Sequence, residues 1–496
     1  MKNIRLEVCV FLTGAAVMAL EILGSRILAP YLGTSIIVWT SLIGVVMASL
    51  SLGYFFGGKL ADKKPKYEAL SLIILCAAIY IGLSAFLKEP VLIFIRAWFF
   101  DLRLSAILAS ICLLSPPSLL LGMVSPYAVR LKVRSVNKSG KVTGNLYAIS
   151  TLGSIFGTFL AGFFLIAYFG HTMLLVGIAL VLTVASLVVF TGDYKFRLFV
   201  FLFIIGSFWA SPQVARNMRG KDFIDIDTNY NRVFIYNSNE PKTQRPIKVM
   251  VFDPKFTQAA MFLDSDELVF GVNKFFRLGG YFKSDLKRTL MLGGAAYSYP
   301  KDFLSQYSSA RMDVVEIDPM LTDLAKRYFR LKENDRLQVF HEDARTFLNR
   351  QARLGANVYD LVYVDVFSSA SSIPFQVTTK EAVADIFDLL GDNGVVLVNL
   401  ISTIDGDGGK FLRAQYHTYR SIFGQVYLFP VANQDPTIAQ NIVLVAMKGN
   451  KVPDFKSVDR EINGYLSHLY KGAISNDVPI LTDDYAPVDN YLFKIL

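Results

Sequence analysis

The feature that most limits the fold of this chain is a series of long apolar segments in its first 211 residues. Segments of roughly 20 apolar residues, the length a helix needs to cross a bilayer, lie near 8–29, 36–58, 69–88, 104–126, 143–168 and 172–191. A shorter apolar stretch follows at about 197–211. The pattern predicts a multi-pass α-helical membrane domain over residues 1–211, followed by a soluble region.

Charge is distributed unevenly along this apolar part. Hydrophobic residues make up 53% of the chain and charged residues only 18%, a departure from soluble composition in the membrane direction. The formal net charge of +9 comes largely from basic loops at 59–66, 130–141 and 193–197. By the positive-inside rule, the N-terminus and these loops face the cytoplasm. No basic stripe with interleaved aromatic residues is present, so nucleic-acid binding is not predicted.

The side of the membrane on which the soluble region lies depends on the stretch 197–211. If this stretch crosses, the region emerges outside; if it re-enters or lies in the interface, the region stays inside. We favour the second arrangement and predict an inner-membrane protein with a cytoplasmic soluble domain. The first apolar segment lacks a small-residue cleavage site and is predicted to remain as an uncleaved helix.

The apolar segments contain small residues, two charged residues and three cysteines whose roles the sequence can suggest. The small residues Gly53 and Gly57, and Gly153 with Gly157 and Ala161, are four apart and predict close contacts between helices. Glu21 and Arg26 are charged residues within a span, where they are costly. Either a structural ion pair within the bundle or a transport or substrate role explains them. The cysteines, Cys9, Cys76 and Cys112, have no metal-ligand spacing, and no metal site is predicted.

Beyond residue 211 the sequence indicates two kinds of soluble structure. Residues 212–285 contain short β-rich runs and predict a small β-sheet. In residues 286–496, apolar strand-like runs alternate with helical segments, which predicts an α/β Rossmann-like domain with a parallel, doubly wound sheet.

The predicted strands of this domain end in glycines or carboxylates. Gly293 and Gly294 follow the first strand, and Glu316 and Asp318 follow the second. Asp343 follows the third strand, and Asp365 ends the fourth. Ligands bind at the carboxyl ends of parallel strands, a glycine turn allows close approach of the backbone, and an acid about 20 residues later accepts hydrogen bonds from ribose. The pattern therefore predicts a nucleoside-cofactor site. The need for a cytosolic cofactor is the reason for placing the soluble region in the cytoplasm.

The same segments resemble the spermidine synthase (polyamine aminopropyltransferase) family, which is related to AdoMet-dependent methyltransferases. The matching segments are LMLGGAAYSYP (290–300), VVEIDP (314–319), HEDAR (341–345), YDLVYVDVFSS (359–369) and VVLVNL (395–400). EILGSRILAPYLG (21–33), SLGYFFGGKLAD (51–62), GMVSPYAVRL (122–131), GNLYAISTLGSIFGTF (144–159) and LTDDYAPVDNYL (481–492) resemble the membrane-fused branch of that family.

The resemblance implies roles for individual residues. Gly293 and Gly294 would pass beneath the cofactor, Glu316 with Asp318 would hold the ribose, and Asp343 with Ala344 would contact the adenine. Gln258 is similar to a glutamine that the family carries on a strand beside the cofactor. Asp365 matches the family's catalytic aspartate, which accepts a proton or hydrogen bond from the attacking amine. Tyr297 and Ser368 are further candidates for substrate contact.

Three positions depart from the family pattern. The family's glycine turn carries an aspartate that binds the aminopropyl ammonium of decarboxylated AdoMet, and Ala296 stands in its place. The second aspartate of the catalytic loop is Ser368, and no Tyr-His pair occurs near 270–275. These departures weaken the case for aminopropyl transfer to a diamine and leave nucleoside binding intact.

Three functions therefore stay open at the level of sequence. The first is aminopropyl transfer from decarboxylated AdoMet to an amine such as putrescine. The second is methyl or related group transfer from AdoMet. The third is a transporter or sensor whose soluble domain binds a nucleoside or polyamine without turnover. The expected partners are a polyamine or other amine and membrane lipid, and a homodimer is compatible with the sequence.

Overall fold

The computed structural model describes residues 2–99, 101–133, 135–190, 192, 195–206, 223–253, 256–355, 358–367 and 373–493. The chain divides into two compact units, Met1–Arg232 and Val233–Leu496. The boundary predicted after residue 211 falls in a stretch outside the described residues, and the predicted domain limits stay predictions.

The first unit is mainly helical. Its helices are α1 Lys2–Leu32, α2 Ile36–Lys63, α3 Tyr67–Trp98, α4 Leu102–Leu113, α5 Ser115–Gly122, α6 Val124–Lys132, α7 Ser139–Phe159, α8 Ile166–Tyr168, α9 His171–Val189 and α10 at 195–206. A π-helical turn, Leu160–Leu165, joins α7 to α8. Within the described part of the chain, five helices are long and apolar enough to cross a membrane.

The segment predicted as a single span at 104–126 is bent. Leu102–Leu113 and Ser115–Lys132 meet at 51° and give a sixth candidate span only if they are taken together. The break at Leu114 directly precedes Ser115-Pro116-Pro117. Proline lacks the backbone N–H and clashes with the preceding turn, so the α4 helix cannot continue through these residues.

The small residues predicted to allow close helix contact do so. A Cβ atom on Gly153 would lie 2.1 Å from the Phe11 carbonyl oxygen, and one on Gly157 would lie 2.3 Å from the Ala15 carbonyl oxygen. A Cβ on Gly53 would lie 2.3 Å from the Leu119 carbonyl oxygen. Helices α1 and α7, and α2 and α5, therefore approach backbone to backbone, which confirms the prediction from the spacing.

Short strands connect the helices to the larger sheet along the chain. Strand β1 (Ile224–Asp227) lies in the first unit, and β2 (Arg232–Asn239) is followed by β3 (Pro246–Asp253) and β4 (Phe256–Phe262). Strands β2 and β3 pair antiparallel, as do β3 and β4. The predicted β-rich region is thus an antiparallel meander.

The larger sheet of the second unit has seven strands in the order β10-β11-β9-β8-β5-β6-β7. They are β5 Arg288–Leu292, β6 Arg311–Val315, β7 Leu337–Phe340, β8 Tyr359–Val364, β9 Leu390–Ser402, β10 Gln425–Pro430 and β11 Gln440–Met447. Strands β5 to β9 are parallel, whereas β11 pairs antiparallel with both β9 and β10. The prediction of a parallel sheet is therefore confirmed for β5 to β9, whereas β11 makes the sheet as a whole mixed.

The connections explain the mixed edge. The helix Lys410–Arg420 follows β9 and precedes β10 in the chain. Strand β10 then runs parallel to β9, with one strand position between them. The following hairpin places β11 in that position, where it must run antiparallel to both neighbours.

Helices cover the two faces of this sheet. They are α11 Gly271–Phe275, α12 Leu278–Phe282, α13 Ser298–Gln306, α14 Pro319–Tyr328, α15 Ala344–Leu354, α16 Lys380–Leu389, α17 Lys410–Arg420, α18 Arg460–Leu466 and α19 Val488–Leu492. Successive strand residues alternate between two buried clusters: Leu290 and Leu292 lie in one and Met291 in the other. This alternation is the geometry of a strand buried on both faces.

Candidate functional site

The residues predicted to bind a ligand lie on the side of the seven-stranded sheet where the carboxyl ends of its parallel strands meet. Strands β5, β6, β7 and β8 are parallel neighbours, so their carboxyl ends meet at this edge. The ladder continues one residue past the strands: Gly293 N donates to Val315 O at 2.9 Å and Glu316 N to Phe340 O at 3.0 Å. Asp365 N donates to Leu292 O at 2.9 Å. The sheet itself therefore fixes the backbone of Gly293, Glu316 and Asp365.

The turn after β5 requires glycine. Gly293 has φ +92°, and a Cβ atom there would lie 2.2 Å from the carbonyl oxygen of Asp365. Two other residues of the turn, Ala295 with φ 44° and Tyr297 with φ 55°, are also left-handed without being glycine. Such residues cost about 1–3 kcal/mol each and cluster at ligand sites.

Glu316 holds this strained turn in place. The residue is 6% exposed, and its carboxylate accepts hydrogen bonds from Gly294 N at 2.9 Å and Ala295 N at 3.0 Å through Oε2. Its Oε1 accepts from Asp318 N at 3.0 Å. Burial raises the pKa of Glu316, and the three backbone donors oppose that rise. The carboxylate predicted to hold ribose thus also connects the β5 turn to the segment after β6.

Two of the other predicted acids cap helices. Asp318 precedes α14 and accepts from Met320 N at 3.1 Å; Asp343 precedes α15 and accepts from Thr346 N at 2.9 Å. Both are N-cap interactions, which satisfy the free N–H groups of a first helical turn. Ala344, predicted to lie beside adenine, is buried as the first residue of α15.

Tyr297 points into the protein interior. It is fully buried, burial raises its pKa, and its hydroxyl lies 2.7 Å from Thr322 Oγ1. Thr322 Oγ1 also lies 3.0 Å from His341 Nε2. The chain Tyr297–Thr322–His341 was not predicted from sequence, because residues from three separate segments meet in it. The neighbouring Ala296 is fully buried as well.

Asp365 is oriented by two asparagines that the sequence analysis did not single out. Asn399 Nδ2 donates to Asp365 Oδ1 at 2.9 Å, and Asn441 Nδ2 donates to Asn399 Oδ1 at 2.9 Å. Because Asn441 occupies the oxygen of the Asn399 amide, the amide nitrogen is directed at Asp365. Burial raises the pKa of Asp365, and the bond from Asn399 lowers it. The only signal in the sequence was a polar residue, Asn399, within the apolar run of β9.

Two predicted residues remain. Gln258 lies on β4, and its Oε1 is buried without a hydrogen-bond partner, an arrangement that is rare unless a ligand or water supplies the donor. Strand β4 reaches the glycine turn, since Ser298 Oγ donates to Ala260 O at 3.3 Å. Ser368 lies outside the described residues. Among those residues that are described, no group of three or more His, Cys, Asp or Glu is arranged to hold a metal ion.

The arrangement combines two chemical capacities at one sheet edge. The glycine turn and the acids after β6 and β7 offer a close backbone approach and oxygen acceptors, which suit the hydroxyl and amino groups of a nucleoside. Asp365 offers a carboxylate whose pKa is raised by burial.

Comparison with known proteins agrees with this geometry. Residues 274–422 match the family model of the spermine/spermidine synthase domain. A polyamine aminopropyltransferase from Vibrio vulnificus is 28% identical over 226 residues, which cover 42% of this chain and 72% of that enzyme. An eEF1A lysine and N-terminal methyltransferase from Xenopus laevis is 29% identical over 140 residues, 27% of this chain and 20% of that enzyme.

Among solved structures, a probable spermidine synthase from Corynebacterium glutamicum covers 51% of this chain and 95% of its own, with a TM-score of 0.42 at 18% identity. The matched region, residues 274–422, spans β5 to β9 and contains every predicted site residue except Gln258. Part of the second unit, residues 274–422, is therefore similar to the spermine/spermidine synthase domain.

Proposed function

We propose that the protein is a membrane-bound aminopropyltransferase, which transfers an aminopropyl group from decarboxylated AdoMet to an amine such as putrescine. The observation that carries the proposal is the convergence of Gly293, Gly294, Glu316, Asp343 and Asp365 at one sheet edge, within residues that match the spermine/spermidine synthase domain. Its transferase class rests on that domain and on the relatives that share it.

The residues present fit the nucleoside part of such a cofactor. Gly293 and Gly294 would lie beneath it, Glu316 with Asp318 would hold the ribose, and Asp343 with Ala344 would hold the adenine. The buried, unpartnered Oε1 of Gln258 supports a ligand here, because a buried acceptor without a donor is costly.

Asp365 is the proposed base. A polyamine nitrogen is mostly protonated near neutral pH and attacks only when neutral, so a carboxylate must orient it and accept its proton. Burial raises the pKa of Asp365, which makes this carboxylate a better proton acceptor than an exposed one. The sulfonium of a bound cofactor supplies the electrophilic carbon and the leaving group.

Methyl transfer from AdoMet is the second candidate, and the structure of the glycine turn favours it. Ala296 occupies the position where the resemblance leads one to expect a carboxylate for the aminopropyl ammonium, and it is fully buried. Without that carboxylate, the turn offers no specific partner for a free ammonium and does not repel the carboxylate of AdoMet.

Membrane insertion is part of this proposal and is supported by the helical unit. Five helices with the length and composition of spans, and basic loops between them, support insertion into the inner cell membrane with lipid as the surrounding partner. The small-residue contacts between α1 and α7 provide the packing that such a bundle needs.

The test is a calorimetric titration of the detergent-purified protein with decarboxylated AdoMet, AdoMet and methylthioadenosine. Tightest binding of decarboxylated AdoMet, with formation of a polyamine product, is expected. Tighter binding of AdoMet than of its decarboxylated form would replace aminopropyl transfer with methyl transfer. Binding of either nucleoside without turnover would favour a sensor or transporter, and absence of binding would reject the nucleoside site.

The base is tested by Asp365→Asn. Turnover should fall by at least about 100-fold, because general base catalysis contributes 10²–10⁴-fold, whereas nucleoside affinity should stay within a few-fold. Asp323→Asn, on the exposed side of α14, is the matched control and should leave both quantities unchanged. An unchanged rate for Asp365→Asn would remove Asp365 from the reaction.

A further inference from the structure

The basic segments of the first unit gather at one end of its helix bundle. Lys132 Nζ donates to Glu7 Oε1 at 2.5 Å and Arg130 Nε donates to Asp62 Oδ1 at 2.9 Å. The hydroxyl of Tyr127 donates to the carbonyl oxygen of Lys64. These contacts bring together the start of α1, the end of α2 and the end of α6. We call this side of the bundle the basic end.

The residues that lead into the second unit lie at the opposite end. Arg232 Nη2 donates to Glu89 Oε1 at 2.6 Å, and Glu89 lies 22 residues after the start of α3. Asp227 accepts from the backbone N of His171 at 3.1 Å and lies 2.8 Å from its ring Nδ1, at the start of α9. Arg26, near the end of α1, donates to the Asn229 carbonyl oxygen. Each of these helix termini is the one farther from the basic end.

Helix α10 runs from the basic end toward this opposite end. Arg197 Nε lies 3.1 Å from Ser71 Oγ and 3.3 Å from Ser186 Oγ, one near the start of α3 and the other near the end of α9. Ile204 lies beside Gly82, where a Cβ would be 3.6 Å from its Cγ1. Ser71 and Gly82 are separated along α3 by about 16 Å at 1.5 Å per residue. The described part of α10 therefore descends to the middle of the bundle.

The direction of the chain and the distribution of charge together indicate which side of the membrane each end of the bundle faces. Arg197 of α10 lies at the basic end, whereas Asp227 and Arg232, 30 and 35 residues later in the chain, lie at the other end. The loops at the other end, 33–35, 99–101 and 168–171, contain no Lys or Arg, and Lys88, Arg96 and Arg103 near that end are fewer than the eleven Lys and Arg in 59–66, 130–141 and 193–197. By the positive-inside rule the basic end is cytoplasmic.

We infer that the domain similar to spermine/spermidine synthase, whose unit begins at Val233, lies on the extracytoplasmic side of the membrane. This is opposite to the cytoplasmic placement predicted from the need for a cofactor. The inference rests on the membrane insertion in the proposed function and is independent of the reaction that the domain catalyses. The domain would then act on a nucleoside and an acceptor that are delivered across the membrane or are already outside it.

Two exposed valines provide a matched test. Val136, 85% exposed, lies in the basic loop between α6 and α7, and Val458 is fully exposed in the second unit. In full-length protein with Cys9, Cys76 and Cys112 replaced by alanine, Val136→Cys and Val458→Cys are each treated with a membrane-impermeant maleimide in intact bacterial spheroplasts. Labelling of Val458→Cys should exceed that of Val136→Cys at least about tenfold, and opening the membrane should make the two equal.

Protection of both positions, or labelling of Val136→Cys alone, would overturn the inference. If the cysteine-free protein fails to accumulate, the natural chain fused after Leu496 to alkaline phosphatase or to green fluorescent protein decides the question. An active phosphatase and a dark fluorescent protein are expected, and the reverse pair contradicts the inference. Neither readout requires turnover, so an inactive enzyme would not affect the result.

Discussion

At the scale of single residues, the direction of one amide decides how Asp365 is presented. An asparagine side chain can place either its oxygen or its nitrogen toward a neighbour. In this site Asn441 takes the oxygen of Asn399, which leaves the nitrogen for Asp365 Oδ1. Asn441 thus acts as a positioning residue for the proposed base, although the Asn399 side chain lies between them.

Asn441→Asp should reverse the Asn399 amide, since the new carboxylate accepts from the nitrogen. Asp365 would then face an oxygen and lose a hydrogen bond to its charged form, which is worth about 1.5–3 kcal/mol. Its pKa should rise by about one unit or more, because one unit corresponds to about 1.4 kcal/mol. Since the base works only when deprotonated, the acid limb of kcat against pH should move to higher pH.

Gln415→Leu is the control for that change. It removes another buried hydrogen bond made by a side-chain amide, from Gln415 Nε2 on helix α17 to Thr378 O at 2.8 Å. It should lower stability and leave the acid limb of the pH profile in place. An Asn441→Asp profile that coincides with wild type would show that the asparagine pair is structural only.

Gly293→Ala should abolish nucleoside binding and lower stability by at least about 2 kcal/mol, since a left-handed non-glycine residue is strained. The added methyl would also lie 2.2 Å from the Asp365 carbonyl oxygen and displace the proposed base. Calorimetry and a thermal melt measure the two effects. Gly464→Ala, in helix α18 with open space around its Cα, should leave affinity unchanged and should not lower stability, since alanine is the better helix former. Wild-type affinity in Gly293→Ala would exclude this turn from the site.

At the scale of elements, Glu316 connects three of them. One carboxylate accepts from the β5 turn through Gly294 and Ala295, and from Asp318 at the start of α14. The strand end, the glycine turn and the helix N-terminus are therefore set by the same side chain.

Glu316→Gln should uncouple these elements. An amide NH₂ facing the N–H groups of the turn, or of Asp318, replaces acceptance with a donor–donor clash, so we expect a loss of about 1–3 kcal/mol in unfolding free energy. Nucleoside affinity should fall with it, because the turn is no longer held. The matched control is Glu333→Gln, whose side chain is 91% exposed. Equal affinities for Glu316→Gln and wild type would leave the carboxylate with a capping role alone.

The strand ends were predictable because an apolar run and the glycine or acidic residue that ends it are local properties of the sequence. Gly293, Glu316, Asp343 and Asp365 each follow an apolar run, and parallel pairing then brings them to one edge. The Asn399–Asn441 pair and the Tyr297–Thr322 contact join residues 42 and 25 positions apart. Such contacts depend on strand order and register, and no local pattern encodes them. The antiparallel β11 was missed for the same reason.

At the scale of the whole molecule, the predicted ligand residues all belong to the second unit. A fragment of residues 223–496, which includes strands β1 to β4, should therefore bind the nucleoside within a few-fold of the full-length protein when both are measured by calorimetry in the same detergent. Asp365→Asn in the fragment should also bind, which separates binding from turnover. A tenfold or larger loss in a folded fragment, judged by its thermal melt, would mean that the helical unit contributes to the site.

The contacts of Asp227 and Arg232 with helices α9 and α3 have an electrical consequence. If the domain faces outward, a sulfonium made in the cytoplasm must leave against an inside-negative potential, at about 2.3 kcal/mol per charge per 100 mV. AdoMet carries one net positive charge and its decarboxylated form two, so export of the decarboxylated form costs about 4.6 kcal/mol at the same potential. Membrane voltage would thus favour export of AdoMet over export of its decarboxylated form. A glycine turn with alanine at position 296 also admits AdoMet.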